Sequence, residues 1–430
     1  MNRPRRSRVR SEFVGNLQTD QAVKSLGRRH KPDYWLLVFS ALLLMIGLVV
    51  VYSISPGLAA SQNISQNYFI TKQLIAVGLG IVAFALASYL PISAWKSLAR
   101  PLIWASLAGC LIVMVTPINA LYPAHRWVRF GGFSFQVAEL IKLTLLVWMA
   151  AFLSSKWREG KLADSSAVLK PLLIILLVLG FVMAKLQSDL GSAAVIVSMM
   201  GLMAYAVGIP LKRISIIAVL VLALAGIAIS TSGYRRERFN SFLHPESNCQ
   251  SSGYQECQAL IAVGSGGIMG LGLGYSVQAY GYLPQASNDS IFAIIAEKFG
   301  FIGTVLILVI YAVFITRIKN VVEHTSDQFS RLLAVGVLAW LSTQMIINIG
   351  AMLGLLPLKG ITLPLVSQGG TSIIFIAIAL GLVFQISRYT SYSVTEPENI
   401  PQKSNRSHYS FDGGRVRRPH NPAFVARPRT

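Results

Sequence analysis

A chain of 430 residues that is 53% hydrophobic, 13% charged and has a mean hydropathy of +0.57 is too apolar for a soluble domain, in which about 25% of residues are charged. The formal charge of +21 does not point to nucleic-acid binding, because much of it lies outside the apolar body. Residues 1–31 hold nine Lys and Arg against two acids, and residues 388–430 hold eight against three, so these ends supply +12; basic tails beside a membrane domain follow from positive-inside topology and attraction to anionic lipid.

Segment 1–33 is basic, polar and expected to lack fixed structure. The apolar run after it is long enough to stay as a span and is not read as a cleavable signal. Runs long enough to cross the ~30 Å hydrocarbon layer are predicted at 34–53, 69–90, 101–117, 135–153, 169–184, 190–208, 214–232, 290–318, 331–355 and 372–387. This predicts an all-α polytopic membrane protein of ten spans, with a tail over 390–430. An even number of spans puts both termini on one side. Lys96, Arg100, Lys156, Arg158, Lys161, Lys170, Lys212, Arg213, Arg317 and Lys319 then cluster on that side, which makes it cytoplasmic. The cations that run against this bias, Arg126, Arg129, Arg235, Arg236, Arg238 and Lys359 among them, become functional candidates on the outer side.

The longest loop, about 233–289, is predicted to be extracytoplasmic, with a short interfacial helix around 254–263. Loops of this length usually carry a function or a structure of their own. Cys249 and Cys257 lie eight positions apart within it; they are either two free thiols or, in an oxidising compartment, a disulfide. Cys110 sits in an apolar run and reads as an inert core residue.

Acidic and basic groups inside apolar runs require a reason to be there. Glu139 and Lys142 are three apart and share a helix face; they read as a structural ion pair or as the lining of a polar cavity. Lys185 and Asp189 flank a short turn, where Asp189 is either a helix cap or a cavity-facing carboxylate. Asp289, followed by Ser290, also suits an N-cap. Glu297 lies about 12 Å deeper and about 80° around the same helix, a depth that capping does not explain. The glycine string GSGGIMGLGLG lacks a following GK[ST] and reads as a tight turn or close-packing element, not a nucleotide loop. Lys359 lies in GLLPLKGITLPLVSQGGTS, a composition that suits a structured re-entrant loop. Arg126 and Arg129, beside Trp127, read as snorkelling interfacial residues or as an anion clamp.

Together these segments resemble the SEDS family (shape, elongation, division and sporulation) over about 34–389. The resemblance rests on FQVAELIKL, QSDLGSA, QALIAVGSGGIMGLGLG, YLPQASNDSIFAIIAEKFGFIG and INIGAMLGLLPLKGITLPLVSQGGTS, and it is closer to the FtsW-like division branch than to the RodA-like elongation branch. Asn288-Asp289-Ser290 keeps the aspartate of the family's His-Thr-Asp-Phe motif but neither neighbour. Val137-Ala138 replaces the usual Pro-Ser before Glu139, Ser188 the usual proline before Asp189, and Lys298 the second acid after Glu297.

The resemblance implies a peptidoglycan glycosyltransferase that joins lipid II units during septal wall synthesis. It implies Asp289 as the catalytic base and a candidate ligand for a divalent Mg or Mn ion, with no organic cofactor. Arg126, Arg129, Glu139, Lys142, Asp189, Glu297 and Lys359 are then candidates for substrate binding or cavity lining. The implied partners are a class B penicillin-binding protein and other division proteins, and the implied location is the septal membrane. A lipid II transporter using Glu139, Lys142, Asp189 and Glu297 as a path, a RodA-like elongation polymerase and a recruiting scaffold are the competing readings.

Overall fold

The computed structural model describes residues 31–390 apart from 116–125, 131–132, 163, 184–186, 188, 246–248 and 252. Both predicted tails, apart from residues 31–33 and 390, and Lys185 lie outside the described residues. Arg129 lies on a described strand, but its side chain is outside the description.

Ten apolar helices correspond one for one to the predicted spans. They are α1 (Tyr34–Gln62), α2 (Tyr68–Tyr89), α3 (Ile92–Val115), α4 (Val137–Arg158), α5 (Ser165–Phe181), α6 (Leu190–Ala206), α7 (Leu211–Ser230), α10 (Ile291–Glu323), α11 (Gln328–Met352) and α12 (Gly370–Ser387). Two further helices, α8 (Gly233–Leu243) and α9 (Tyr254–Ser265), and a 3-10 turn (Gln278–Tyr280) structure the segment between α7 and α10. Seven of the ten are long and apolar enough to cross a membrane by length and composition. Two of the others, α5 and α6, have 17 residues each, which is about 25 Å of helix.

The chain marks its own helix ends. Asp33, Asp164, Asp189 and Asp327 each precede a helix and accept a backbone N–H from its first turn, satisfying donors that a helix start leaves unpaired. Pro91 stops α2, and Asn63 in the left-handed region ends α1. The predicted third span begins at 101, but α3 begins at Ile92 and runs through Pro101. The charges of Lys96 and Arg100 hide an amphipathic turn there whose Trp95 and Ala99 are buried.

The core lies where α4, α6, α10, α11 and α12 meet, centred on side chains such as Trp340, Tyr311, Phe314 and Leu146. The most extensive helix pairing is α2 on α12, followed by α6 on α11 and α3 on α4. Apolar residues of the outer helices, for example Trp104 and Leu222, remain exposed, as expected of lipid-facing positions. One face of the bundle is tied together by Asp33, whose carboxylate takes a bidentate pair of bonds from Arg317 at 2.8 and 3.0 Å and whose N–H donates to Ser387 Oγ at 3.0 Å. The opposite face carries Asp289.

On the Asp289 face lies a two-stranded hairpin, β1 (Trp127–Phe130) and β2 (Phe133–Gln136), with Trp127 paired to Gln136. Thr371 Oγ1 donates to Ser134 O at 2.8 Å and accepts from Gln136 N at 3.3 Å, pinning the hairpin to the start of α12. A disulfide joins Cys249, in the turn between α8 and α9, to Cys257 in the first turn of α9.

Candidate active site

Asp289 sits one residue before the cap of α10. That cap is Ser290, and no side chain caps the helix. Asp289 is therefore placed by its backbone, and the capping alternative does not describe it. Asn348, on α11, donates its Nδ2 to Asp289 O and to Ile361 O, both at 2.7 Å. Ser367 Oγ donates to Asn288 O at 2.6 Å and accepts Leu363 N at 2.7 Å, while Gln368 N donates to Ser287 O at 2.8 Å. The loop between α11 and α12 is thus stitched residue by residue to the strand of chain that presents Asp289. Lys359 and Gly360 lie on this loop.

Gly360 is what allows a second approach. A Cβ at this position would lie 3.1 Å from Asp289 Oδ2 and 3.7 Å from Arg126 Nη1, so the carboxylate and the guanidinium converge over a residue with no side chain. Arg126 is anchored by its Nε, which donates to Gln187 O at 2.6 Å. Asp189, two residues on, accepts Ser192 N at 3.0 Å and Ser192 Oγ at 2.8 Å. It caps α6 and also acts on Asp289 through space. The stem of Lys359 packs beside Gly191 in the same turn.

Charge and burial set the state of these groups. Asp289 keeps a partial opening to solvent yet is enclosed by protein. Loss of hydration, with the neighbouring Asp189 adding to it, pushes its carboxyl up to about 7 against the opposing pull of Arg126 and Arg238. Desolvation and the nearby Arg238 and Arg235 hold the Lys359 ammonium below its ordinary value, against Asp189 and Glu256. Glu256, at the start of α9, is pushed up by burial despite Arg238 and Lys359. Cations from three separate stretches, Arg126, Arg238 and Lys359, therefore act on one cluster of acids, with Arg235 acting on Lys359. Such perturbed carboxyls among convergent cations make this cluster the candidate site.

Other charged candidates sit elsewhere. Lys142 Nζ contacts Glu139 Oε1 at 2.7 Å and Gln344 Oε1 at 3.0 Å and is fully buried. Gln344 in turn accepts Trp340 Nε1 at 2.8 Å and donates to Thr362 O at 2.9 Å. The pair is enclosed by α11, and the site loop is tied to it through Gln344. Glu297 accepts Val277 N at 2.9 Å, Gln278 N at 3.2 Å and the Ser276 hydroxyl, so it anchors the 3-10 turn. Asn348, Gln344 and Gln187 are absent from the sequence-based candidates. The signal for the first two is a pair of amides one turn apart in an apolar helix, which needs partners. The hairpin had a signal too: WVRF and FSFQ flank Gly131-Gly132, a hairpin pattern.

The family described as cell cycle protein, which groups FtsW, RodA and SpoVE, matches residues 34–392. The chain belongs to this family. It is 34% identical over 362 residues to the probable peptidoglycan glycosyltransferase FtsW of Coxiella burnetii, covering 83% of this chain and 96% of that one. It is 32% identical over 373 residues to the stage V sporulation protein E of Bacillus subtilis, covering 85% and 99%. Among solved structures it resembles a chain described under the structural coordination of polymerization and crosslinking by a peptidoglycan synthase complex, with TM-score 0.65 and 27% identity over 83% of this chain and 98% of that one. It also resembles the rod shape determining protein RodA of Thermus thermophilus, with TM-score 0.61 and 26% identity over 84% and 98%. The predicted fold and family are those found, and the recurrence of FtsW among relatives at about one-third identity places the chain with the FtsW-like members.

Proposed function

We infer that this protein is a peptidoglycan glycosyltransferase that joins lipid II units into glycan strands at the septum. The observation that carries the reading is the convergence of Asp289 and Arg126 over Gly360, in a chain whose relatives are named for this activity. In the reaction, the Asp289 carboxylate takes the proton from the attacking sugar hydroxyl as its oxygen bonds the anomeric carbon of the donor. The bond from that carbon to the diphosphate oxygen breaks, and the diphosphate leaves on its polyprenyl chain. A positioned base contributes about 10²–10⁴-fold to such a step. Arg126, Arg238 and Lys359 are the cations that would meet the charge growing on the diphosphate. Arg129 remains a candidate for the same role from its place on β1. Gly360 lets base and cation approach the same backbone position with no side chain between them.

Among the described residues no three His, Cys, Asp or Glu side chains converge as a metal site, and Asp189 is committed to capping α6. Asp289 is the residue that would hold a hard divalent cation such as Mg or Mn at this site. When bound, such an ion supplies charge neutralisation at the leaving group.

The Asp289 face is the outer face of the cytoplasmic membrane in this reading, with both termini in the cytoplasm. A class B penicillin-binding protein is the partner that would cross-link the strands, alongside other division proteins. The test is polymerisation of labelled lipid II by the purified protein in liposomes, with and without that partner. Asp289→Asn is expected to lower polymer formation by about 10²-fold or more with unchanged folding. Equal polymerisation by this variant removes Asp289 as the base. Lipid II movement across the liposome with no polymer from either protein replaces the enzyme by a transporter.

A further inference from the structure

No charged residue occurs between Glu256 and Asp289, although most of that stretch is not a spanning helix. We propose that its glycine-rich part, residues 266–282, is inserted into the bilayer boundary on the Asp289 face and contacts lipid directly.

The first observation is where its backbone polar groups go. Leu271 N and Gly272 N donate to Glu297 O and Lys298 O, both at 2.9 Å, and Phe301 N and Ile302 N donate to Gly267 O and Ile268 O at 2.9 and 3.2 Å. Gly300, at φ 65°, breaks the helical path and frees these groups of α10 for the loop. Glu297 takes the N–H groups of Val277 and Gln278, and Lys298 Nζ donates to Leu273 O. The close approach requires glycine: a Cβ on Gly270 would lie 2.2 Å from Lys298 O, and one on Gly266 2.0 Å from Ala296 O. Irregular chain at membrane depth is tolerated when protein satisfies its backbone, and α10 does so for much of this segment.

The second observation is what its side chains do. Ile268, Met269 and Tyr275 are 69%, 77% and 80% exposed, and Leu273, Val277 and Tyr280 are exposed beside them. A contiguous apolar strip of this kind marks an interaction surface. The absence of any charge in it selects lipid, and its tyrosines suit the headgroup level.

The third observation is depth. Phe299 to Thr316 is the uncharged stretch of α10, and Arg317 closes it at the Asp33 face. These eighteen residues, helical except at Gly300, span about 27 Å, close to the hydrocarbon thickness of about 30 Å. The other hydrocarbon edge therefore falls at Phe299–Ile302, where Gly267 and Ile268 are bonded. Glu297 and Lys298, just above that edge, spend their polar groups on the segment.

The test is collision accessibility of nitroxide labels in proteoliposomes, using Met269→Cys and Tyr275→Cys in a Cys110→Ala chain with the 249–257 disulfide kept oxidised. Leu306→Cys serves as the lipid-facing control and Asn240→Cys as the aqueous one. The expected oxygen-to-nickel-chelate collision ratio at 269 matches that at 306 and exceeds that at 240 by about tenfold, with 275 between them at headgroup depth. Ready access of the nickel chelate to both sites makes the segment an aqueous loop and overturns the proposal. Exclusion of both reagents means that protein, such as a second copy, covers the strip, and overturns it equally. The readout does not depend on the glycosyltransferase reading.

Discussion

Asn348 holds the carbonyl of Asp289 and the carbonyl of Ile361 with one amide nitrogen, so a single side chain sets the distance between the carboxylate and the Lys359–Gly360 turn. Asn348→Leu is expected to lower kcat per folded molecule by about 10–100-fold, since misplacement by about an ångström has that cost; normalising to the folded fraction separates this from instability. Gly360→Ala is expected to lower the rate about tenfold at an unchanged melting temperature, because its Cβ would crowd Asp289 Oδ2 at 3.1 Å and blunt a base of the usual efficiency. The pH profile tests Asp289 itself. Burial and Asp189 raise its carboxyl to about 7, and only the deprotonated form accepts a proton. Polymerisation should therefore rise as pH passes upward through about 7 and fall away below it. At this scale the sequence was informative about acids but not about amides. Asp289 stood out because a carboxylate beside an apolar run is costly. Asn348 and Gln187 did not, because Asn348 meets backbone carbonyls from distant parts of the chain and Gln187 offers its own carbonyl to the distant Arg126.

At the scale of elements, α10 reads in sequence as one long apolar helix and in structure as a helix interrupted at Gly300 by the crossing loop. The reason is reciprocal: a Cβ on Gly300 would lie 2.3 Å from Gly270 N, and one on Gly270 would lie 2.6 Å from Gly300 N. Close approach of two backbones leaves no periodic pattern to read. Gly300→Ala combines that clash with a positive φ and should cost about 1–3 kcal/mol of stability, measured by thermal unfolding in detergent, whereas Gly201→Ala, with open space around it, should be nearly neutral. Helix α9 was legible from its apolar run over 254–263. Helix α8 was not, since GYRRERFNSFL is polar and carries no apolar stripe. The disulfide between Cys249 and Cys257 closes the turn joining these two helices, which bring Arg238 and Glu256 toward the site.

At the scale of the molecule, uninterrupted apolar length located all ten apolar helices, because the hydrocarbon thickness sets a minimum length for a span, and seven of them meet it by length and composition. Which helices touch was not legible: α2 against α12 and α6 against α11 are pairings between remote parts of the sequence. Buried polar links mark several of these crossings. Lys142→Met leaves Glu139 buried without its partner and should destabilise the fold by about 3–5 kcal/mol. Pairing that substitution with Glu139→Gln should recover part of the loss, checked by unfolding of the single and double variants.

The tie among Asp33, Arg317 and Ser387 also imposes an order in time. Asp33 begins the first helix, and its N–H meets a hydroxyl 354 residues later. At about 5–20 residues per second of synthesis, α1 waits roughly 20–70 s before its last partner exists. Its first turn must be held meanwhile by lipid or by the insertion machinery. Chains released before α12 is complete have the Arg317 pair on the Asp33 carboxylate but leave its N–H without its final partner.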